Sequence, residues 1–224
     1  GDVVRLPPEE AAHARSRRIA TGDPVVLIDG SGREAEAEIA AVHREGIEAR
    51  VLAVHPAAAA PVEIWLGIAG IRGERLSWIA EKAGELGVAC LALVRTERTQ
   101  AFRAADTTLA RLDRIVRESA KQSGSARWPR CEGPLGLDEA LASASGAARL
   151  MLDPGGEPFP RAIAGSSAAL LVGPEGGWAD DERDLARGAG WTLAGLPAGT
   201  LRAETAAVAA IVLARAAFDP PHRC

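Results

Sequence analysis

The fold turns on Ala168-Ala169-Leu170-Leu171-Val172-Gly173-Pro174-Glu175-Gly176-Gly177. The unbroken apolar run to Val172 predicts a strand covered on both faces, and the glycines and proline that follow predict a tight loop at its C-terminal end. Asp180 to Ala189 then reads as a helix whose first turn carries Asp180, Asp181 and Glu182, where acidic side chains meet the positive end of the helix dipole. Further on, Leu201-Arg202-Ala203-Glu204-Thr205 stands between an apolar strand, Trp191 to Leu196, and an apolar helix, Ala203 to Phe218. Open α/β sheets place their ligands in such loops, so function is expected in the last third of the chain.

Working outward, the chain alternates strand and helix from residue 62 onward, which implies a mostly parallel sheet covered by helices. Strands are predicted at Val62 to Ile68, Val88 to Val94 and Arg149 to Leu152, and helices at Arg72 to Leu86, Asp106 to Gln122 and Leu135 to Ala144. The first sixty residues read differently. Val25 to Ile28, Glu34 to Val42 and Ile47 to Val54 are strand-like, with turns at Asp29-Gly30-Ser31-Gly32 and Glu45-Gly46, and together they predict a small β-barrel. His55 to Pro61 has the composition of a linker. Two domains are therefore expected, 1–60 and 61–224.

Composition excludes several classes. With 47% apolar and 25% charged residues, the 224-residue chain has the balance of an ordinary globular protein. The three cysteines, Cys90, Cys131 and Cys224, form neither a disulfide framework nor a zinc motif, so no metal is expected and a reducing cytoplasm fits. No apolar run reaches the ~20 residues needed to cross a bilayer, and no signal-peptide core is present. Because the sequence begins at Gly1, a few native residues are expected to precede it. The net charge of −4 argues against indiscriminate nucleic-acid coating. Residues 95–130 nevertheless carry a local cationic excess, including Arg95, Arg98, Arg111, Arg114, Arg117, Lys121, Arg127 and Arg130, which fits either an RNA contact or a solvated, ion-paired helix face.

The loop chemistry narrows the ligand. The Gly173 to Gly177 loop can offer bare backbone N–H and C=O groups to a flat ligand such as an adenine or a ribose. Neither phosphate-loop nor dinucleotide-fold spacing is present. Glu204 and Thr205 suit a helix N-terminus, whereas Arg202 is not needed there and carries a guanidinium fit for bidentate contact with carboxylate or phosphate. The all-round apolar helix behind them is expected to be buried on several sides. His13, with Arg17 and Arg18 in a basic N-terminal stretch, is a second candidate RNA contact, or simply part of an exposed helix or turn. The five tryptophans, Trp65, Trp78, Trp128, Trp178 and Trp191, are expected mainly to pack, with Trp178 and Trp128 as candidates for stacking.

These residues occur in a recognisable order. His13, Arg18, Gly22-Asp23, Asp29-Gly30, Glu81-Lys82-Ala83, Glu85-Leu86-Gly87-Val88, Arg98, Glu118, Gln122-Ser123-Gly124, Pro129, Gly173 to Gly177, Glu182, Leu201-Arg202 and Glu204-Thr205-Ala206 resemble the RsmE family of the SPOUT methyltransferases. That family methylates N3 of a uridine in small-subunit (16S) ribosomal RNA with S-adenosylmethionine. The resemblance implies a PUA-like β-barrel that binds RNA, followed by a SPOUT α/β domain with a C-terminal trefoil knot, working as a cytoplasmic homodimer on 16S rRNA or the small subunit. It implies a methyl-donor pocket lined by Leu171, Val172, Gly173, Glu175, Gly176 and Gly177 on one wall and Leu196, Pro197, Thr200 and Leu201 on another. Arg202 is then expected to stabilise charge on the uracil oxygens or hold a phosphate, with Glu204 orienting it or helping to take the N3 proton. His13, Arg17, Arg18, Arg98, Gln122 and Arg127 are the expected RNA contacts.

The chain departs from the family pattern at Ser125 and Gly199, each standing where an arginine is usual, and at Pro197, where glycine is usual. Two cationic contacts are thereby lost, and Arg127 and Arg202 are the candidates to replace them. A ribose 2′-O-methyltransferase of the same fold and an RNA-binding protein without catalysis are the competing readings.

Overall fold

A computed structural model describes residues 1–44, 46–57, 62–97, 105–144 and 146–218, in two compact units, Gly1–Ala59 and Ala60–Cys224. In the first unit, β1 (Val3–Arg5), α1 (Pro8–Ser16), β2 (Pro24–Ile28), β3 (Arg33–His43) and β4 (Gly46–Pro56) build an antiparallel sheet of order β1-β4-β3-β2. In β3, Ala37 and Ile39 point inward while the interleaved glutamates lie outward. They pack with Ile47, Ala49 and the α1 residues Ala11 and Ala14 into a small core. The Asp29 turn is pinned by its own carboxylate, which accepts from Ser31 N, Ser31 Oγ and Arg33 Nη2 and is thereby held far below the ordinary carboxylate range.

Two expectations change here. Helix α1 has almost no apolar contrast beyond Ala11 and Ala14, so the period of 3.6 is hard to see in the sequence, although Pro8 opens it and Glu9 and Glu10 fill its first turn. His55 and Pro56 are not linker but the end of β4, held by pairing to Glu34 and Arg33. Ala57 donates its N–H to Gly32 O at 2.9 Å, and the remainder of the expected linker, 58–61, lies outside the described residues.

The second unit is a six-stranded, all-parallel sheet of order β10-β8-β9-β5-β6-β7. Its elements are β5 (Glu63–Ala69), α2 (Gly73–Glu85), β6 (Cys90–Arg95), α3 (Ala105–Gln122), β7 (Arg130–Gly136), α4 (Leu137–Ser143), β8 (Ala148–Pro158), β9 (Ser167–Val172), α5 (Asp180–Gly188), β10 (Thr192–Gly195) and α6 (Ala203–Ala217). Strand alternation sorts the core into two layers. Ile64, Leu66, Ile68, Leu170 and Val172 face residues of α2, α3 and α6, while Trp65, Ala69, Ala169 and Leu171 face residues of α4 and α5.

Three differences from the sequence reading bear on the site. The predicted helix at Leu135 starts instead at Leu137, after β7, because Glu139 receives the N-cap Gly136 N–H at 3.4 Å and so sets the helix start two residues later. Strand β8 continues to Pro158 rather than ending at Leu152. Its register against β10 jumps from Met151↔Leu193 to Glu157↔Ala194, so residues 152–156 bulge out of the ladder. Helix α6 buries one face, Ala203, Ala207, Ala210, Ile211 and Ala214, and leaves Val212 48% exposed; within this chain it is not covered all round.

Candidate functional site

The C-terminal ends of β9 and β10 and the bulge within β8 converge on a cavity of about 440 Å³. Three segments supply its wall: Leu152 to Pro154 from the β8 bulge, Val172 to Glu175 with Gly177 and Trp178 after β9, and Leu196 with Ala198 to Ala203 leading into α6. Arg75 of α2 and Arg183 of α5 complete it. A cavity of this size at the strand ends of a parallel sheet has the usual place and dimensions of a small-ligand site.

The floor is rigid. Trp178 is 1% exposed and donates from Nε1 to Leu152 O at 2.8 Å, joining the glycine loop to the β8 bulge. A Cβ on Gly173 would lie 2.8 Å from the Trp178 ring, so only glycine lets the loop sit on the indole. Trp178 is therefore structural support and not a stacking surface. Ala179 N donates to Glu182 Oε2 at 2.9 Å, and Glu182 Oε1 accepts from Glu97 N at 2.8 Å, so one buried carboxylate ties the end of the glycine loop to the segment after β6.

The charged groups form two sets. At the β8 bulge, Asp153 is 6% exposed; its Oδ1 accepts from Gly155 N at 2.8 Å and its Oδ2 from Arg183 Nε at 2.7 Å. Arg183 also donates to Asp180 Oδ1 at 2.9 Å, and these carboxylates raise its already high pKa further. At the α2 side, Arg75 Nη1 pairs with Glu175, and Arg75 Nε lies 3.9 Å from Glu204 Oε1. Arg202, which precedes α6, is exposed and has no ion pair with Glu204 among the described residues, so the expectation that Glu204 orients Arg202 is not met by a direct contact.

Of the residues expected at the pocket, Val172, Gly173, Glu175, Gly177, Leu196, Thr200 and Leu201 line the cavity, as does Arg202. Leu171, Gly176 and Pro197 are not among its lining residues. Strand alternation explains the first, because Leu171 is fully buried in the opposite core layer, beside Trp178 and Trp191. Gly176 and Pro197 lie exposed. Sequence reasoning missed Arg75, Asp153, Pro154 and Arg183. The turn-forming Asp153-Pro154-Gly155-Gly156 was the available signal for the bulge.

Of the expected RNA contacts, none of the described ones is among the cavity's lining residues. His13 is on α1, Arg17 and Arg18 follow it, and all three are exposed; Gln122 and Arg127 are exposed at and beyond the end of α3. Arg127 Nη1 lies 3.6 Å from Glu63 Oε1, and Ser125 Oγ donates to Arg127 O at 2.7 Å. Arg98 lies outside the described residues. Trp128 is covered by its own chain's cations, with Arg117 Cζ 4.9 Å and Lys121 Nζ 5.8 Å from the ring centroid. Among the described residues, no group of three or more His, Cys, Asp or Glu could hold a metal ion, and no helix is long and apolar enough to cross a membrane.

Comparison with known proteins agrees with this geometry. An RNA methyltransferase domain matches residues 58–215, and an RNA methyltransferase PUA domain matches residues 6–52. The ribosomal RNA small subunit methyltransferase E of Mycobacterium bovis is 33% identical over 225 residues, covering 94% of this chain and 85% of the relative. That of Synechocystis sp. is 28% identical, covering 92% and 70%. The crystal structure of the Neisseria gonorrhoeae ribosomal RNA small subunit methyltransferase E bound to S-adenosyl methionine superposes with a TM-score of 0.83 at 30% identity, covering 95% of this chain and 90% of that one.

Proposed function

The chain belongs to the ribosomal RNA small subunit methyltransferase E family, and on that premise we propose that it methylates N3 of a uridine in 16S rRNA with S-adenosylmethionine as methyl donor. The observation that carries the proposal is the cavity at the ends of β9 and β10 and the β8 bulge, where the Gly173–Gly177 loop and the 196–201 segment meet. Its residues fit the donor. Leu152, Val172, Leu196 and Leu201 present an apolar interior, the backbone of the two loops supplies directional N–H and C=O groups, and Gly173 sits against the Trp178 ring.

S-adenosylmethionine, when bound, supplies a methyl carbon made electrophilic by its sulfonium. The chain's own residues do the rest. The apolar lining excludes water, and holding both reactants in one cavity replaces a bimolecular encounter by a positioned one. Arg202, exposed at the cavity rim, offsets negative charge on the uracil oxygens as N3 loses its proton, or holds the adjoining phosphate. Glu204, at 16% side-chain exposure, follows the cavity-lining Ala203 without lining the cavity itself, and in this reading it orients Arg202 or helps to take that proton. A base in a folded RNA must leave its stack to be reached.

The same proposal includes the RNA contacts His13, Arg17, Arg18, Arg98, Gln122 and Arg127, a cytoplasmic location and a division into a PUA-like RNA-binding domain over 1–60 and a SPOUT domain over 61–224. Dimerisation is supported by the half-open apolar face of α6, where Val212 is 48% exposed. A C-terminal trefoil knot is supported by the sheet order, in which β10 pairs with β8 and the chain returns through α6 against β9 and β5.

The test is mass-spectrometric nucleoside analysis of 16S rRNA from a deletion strain, with calorimetry of the purified protein against S-adenosylmethionine. Loss of one N3-methyluridine is expected. Loss of a 2′-O-methylated nucleoside instead would establish the ribose reading, and absence of binding heat would leave an RNA-binding protein without catalysis. Arg202→Ala is expected to lower turnover while the cofactor still binds.

A further inference from the structure

Glu204 is held by Arg75, a residue without a motif of its own. Its Oε2 is buried with no hydrogen-bond partner, and among the described residues Arg75 is the one cation within ion-pair distance, 3.9 Å from Nε to Oε1. The same guanidinium pairs through Nη1 with Glu175 of the glycine loop. Arg75 projects from the first turn of α2 and lines the cavity alongside Glu175 and the start of α6. A guanidinium carries five N–H donors in a rigid plane and can serve two carboxylates at once, whereas an ammonium is a single point charge on a flexible stem.

We propose that Arg75 is a positioning residue that bridges the cavity-lining Glu175 and Glu204 and so fixes the Glu204 carboxylate at the head of α6, between the lining residues Ala203 and Ala206. The proposal rests on the functional reading of Glu204 given above. It explains why a carboxylate at the head of α6 stays in place with so little else to hold it. Arg202, two residues earlier, is thereby left exposed for the substrate.

The experiment uses the full chain with Arg75→Gln, Arg75→Lys, Glu204→Gln and the double variant Arg75→Gln/Glu204→Gln. Three readings are taken: kcat and KM on small-subunit rRNA, calorimetric affinity for S-adenosylmethionine, and the 13C carboxyl resonance of Glu204 without cofactor, assigned by its loss in Glu204→Gln. Arg75→Gln is expected to lower kcat by about tenfold or more, beyond any loss of cofactor affinity, and to move the Glu204 resonance. Arg75→Lys, which keeps charge but not the planar bridge, is expected to recover part of kcat. The double variant is expected to be no slower than Glu204→Gln alone, since both changes break one unit.

An unmoved resonance overturns the proposal. So does a loss confined to cofactor affinity, or a double variant whose defects add. If Arg75→Gln does not fold, Arg75→Lys decides, because an unchanged kcat in that variant overturns the bridge. Wild-type protein that binds the cofactor yet does not methylate rRNA would sink the functional reading alone. The resonance still judges the bridge, a shift supporting it and its absence overturning it.

Discussion

Two walls of the cavity were written into the sequence in different ways. The glycine loop after β9 follows an uninterrupted apolar strand and announces itself through Gly173, Pro174, Gly176 and Gly177. The β8 bulge, residues 152–156, interrupts a strand that resumes and pairs again with β10 at Glu157. Both deliver polar and backbone groups to the same cavity, and Trp178 joins them through its bond to Leu152 O. The difference shows that a terminal loop can be read from local chemistry, whereas a bulge depends on which strand runs beside it.

The hidden wall is the one more easily broken. A Cβ on Gly156 would lie 2.5 Å from both the carbonyl carbon and oxygen of Leu193, and neither backbone atom can swing aside. Gly156→Val is therefore expected to destabilise the α/β unit by about 3 kcal/mol, seen as a lowered urea midpoint. A midpoint unchanged from wild type would mean that β10 does not pass so close to the bulge.

Asp153→Ala acts on the same wall through charge. It removes a carboxylate that is 6% exposed and leaves the Arg183 guanidinium with Asp180, itself fully open to solvent. Because Arg183 is 27% exposed and partly hydrated, the expected cost is about 2 kcal/mol, below that of a fully buried broken pair. Asp153→Asn keeps an acceptor and is expected to lose about half as much. Equal losses in the two variants would show that the charge, and not the hydrogen bonds, holds the bulge.

The legible wall gives the next effect. Gly173→Ala sets a methyl against the Trp178 indole, which its bond to Leu152 O prevents from turning away. The expected result is a loss of about 1.4 kcal/mol, or tenfold, in calorimetric affinity for S-adenosylmethionine. A variant that bound as tightly as wild type would place the cofactor off this loop.

The same contrast governs how far sequence reading reached. The strand and helix alternation from residue 62 was plain where strands are apolar and helices amphipathic, as Leu170 to Val172 and the long α3 illustrate, whereas β7, with Arg130, Glu132, Gly133 and Pro134, was not foreseen. Helix α1 was obscure because only Ala11 and Ala14 mark its buried face. Leu171 was expected in the pocket and Val172 with it, yet neighbours on a strand face opposite layers, and Val172 alone lines the cavity. Arg75 could not be found at all by local reasoning. It lies about a hundred residues from Glu175, on a helix whose sequence reads as ordinary amphipathic pattern, and only the sheet order brings α2 to the ends of β9 and α6.

The smallest expected effect on stability tests what the 196–201 segment lacks. Gly199 stands where the resembling family usually carries arginine, lines the cavity, and has nothing within 4 Å of the position a Cβ would take. Gly199→Arg should therefore fold with stability within about 0.5 kcal/mol of wild type. The added cation projects from an exposed rim that also carries Arg202, so RNA affinity is expected to rise and its logarithmic salt dependence to steepen by about one unit, as for one further phosphate contact. Cofactor affinity, which the proposed function assigns to the glycine loop and the apolar lining, should stay as it was. If the salt slope did not change, this rim would not face the RNA backbone. If cofactor affinity fell instead, residue 199 would belong to the donor wall, and the division between a wall that holds the donor and a rim that grips the RNA would have to be redrawn.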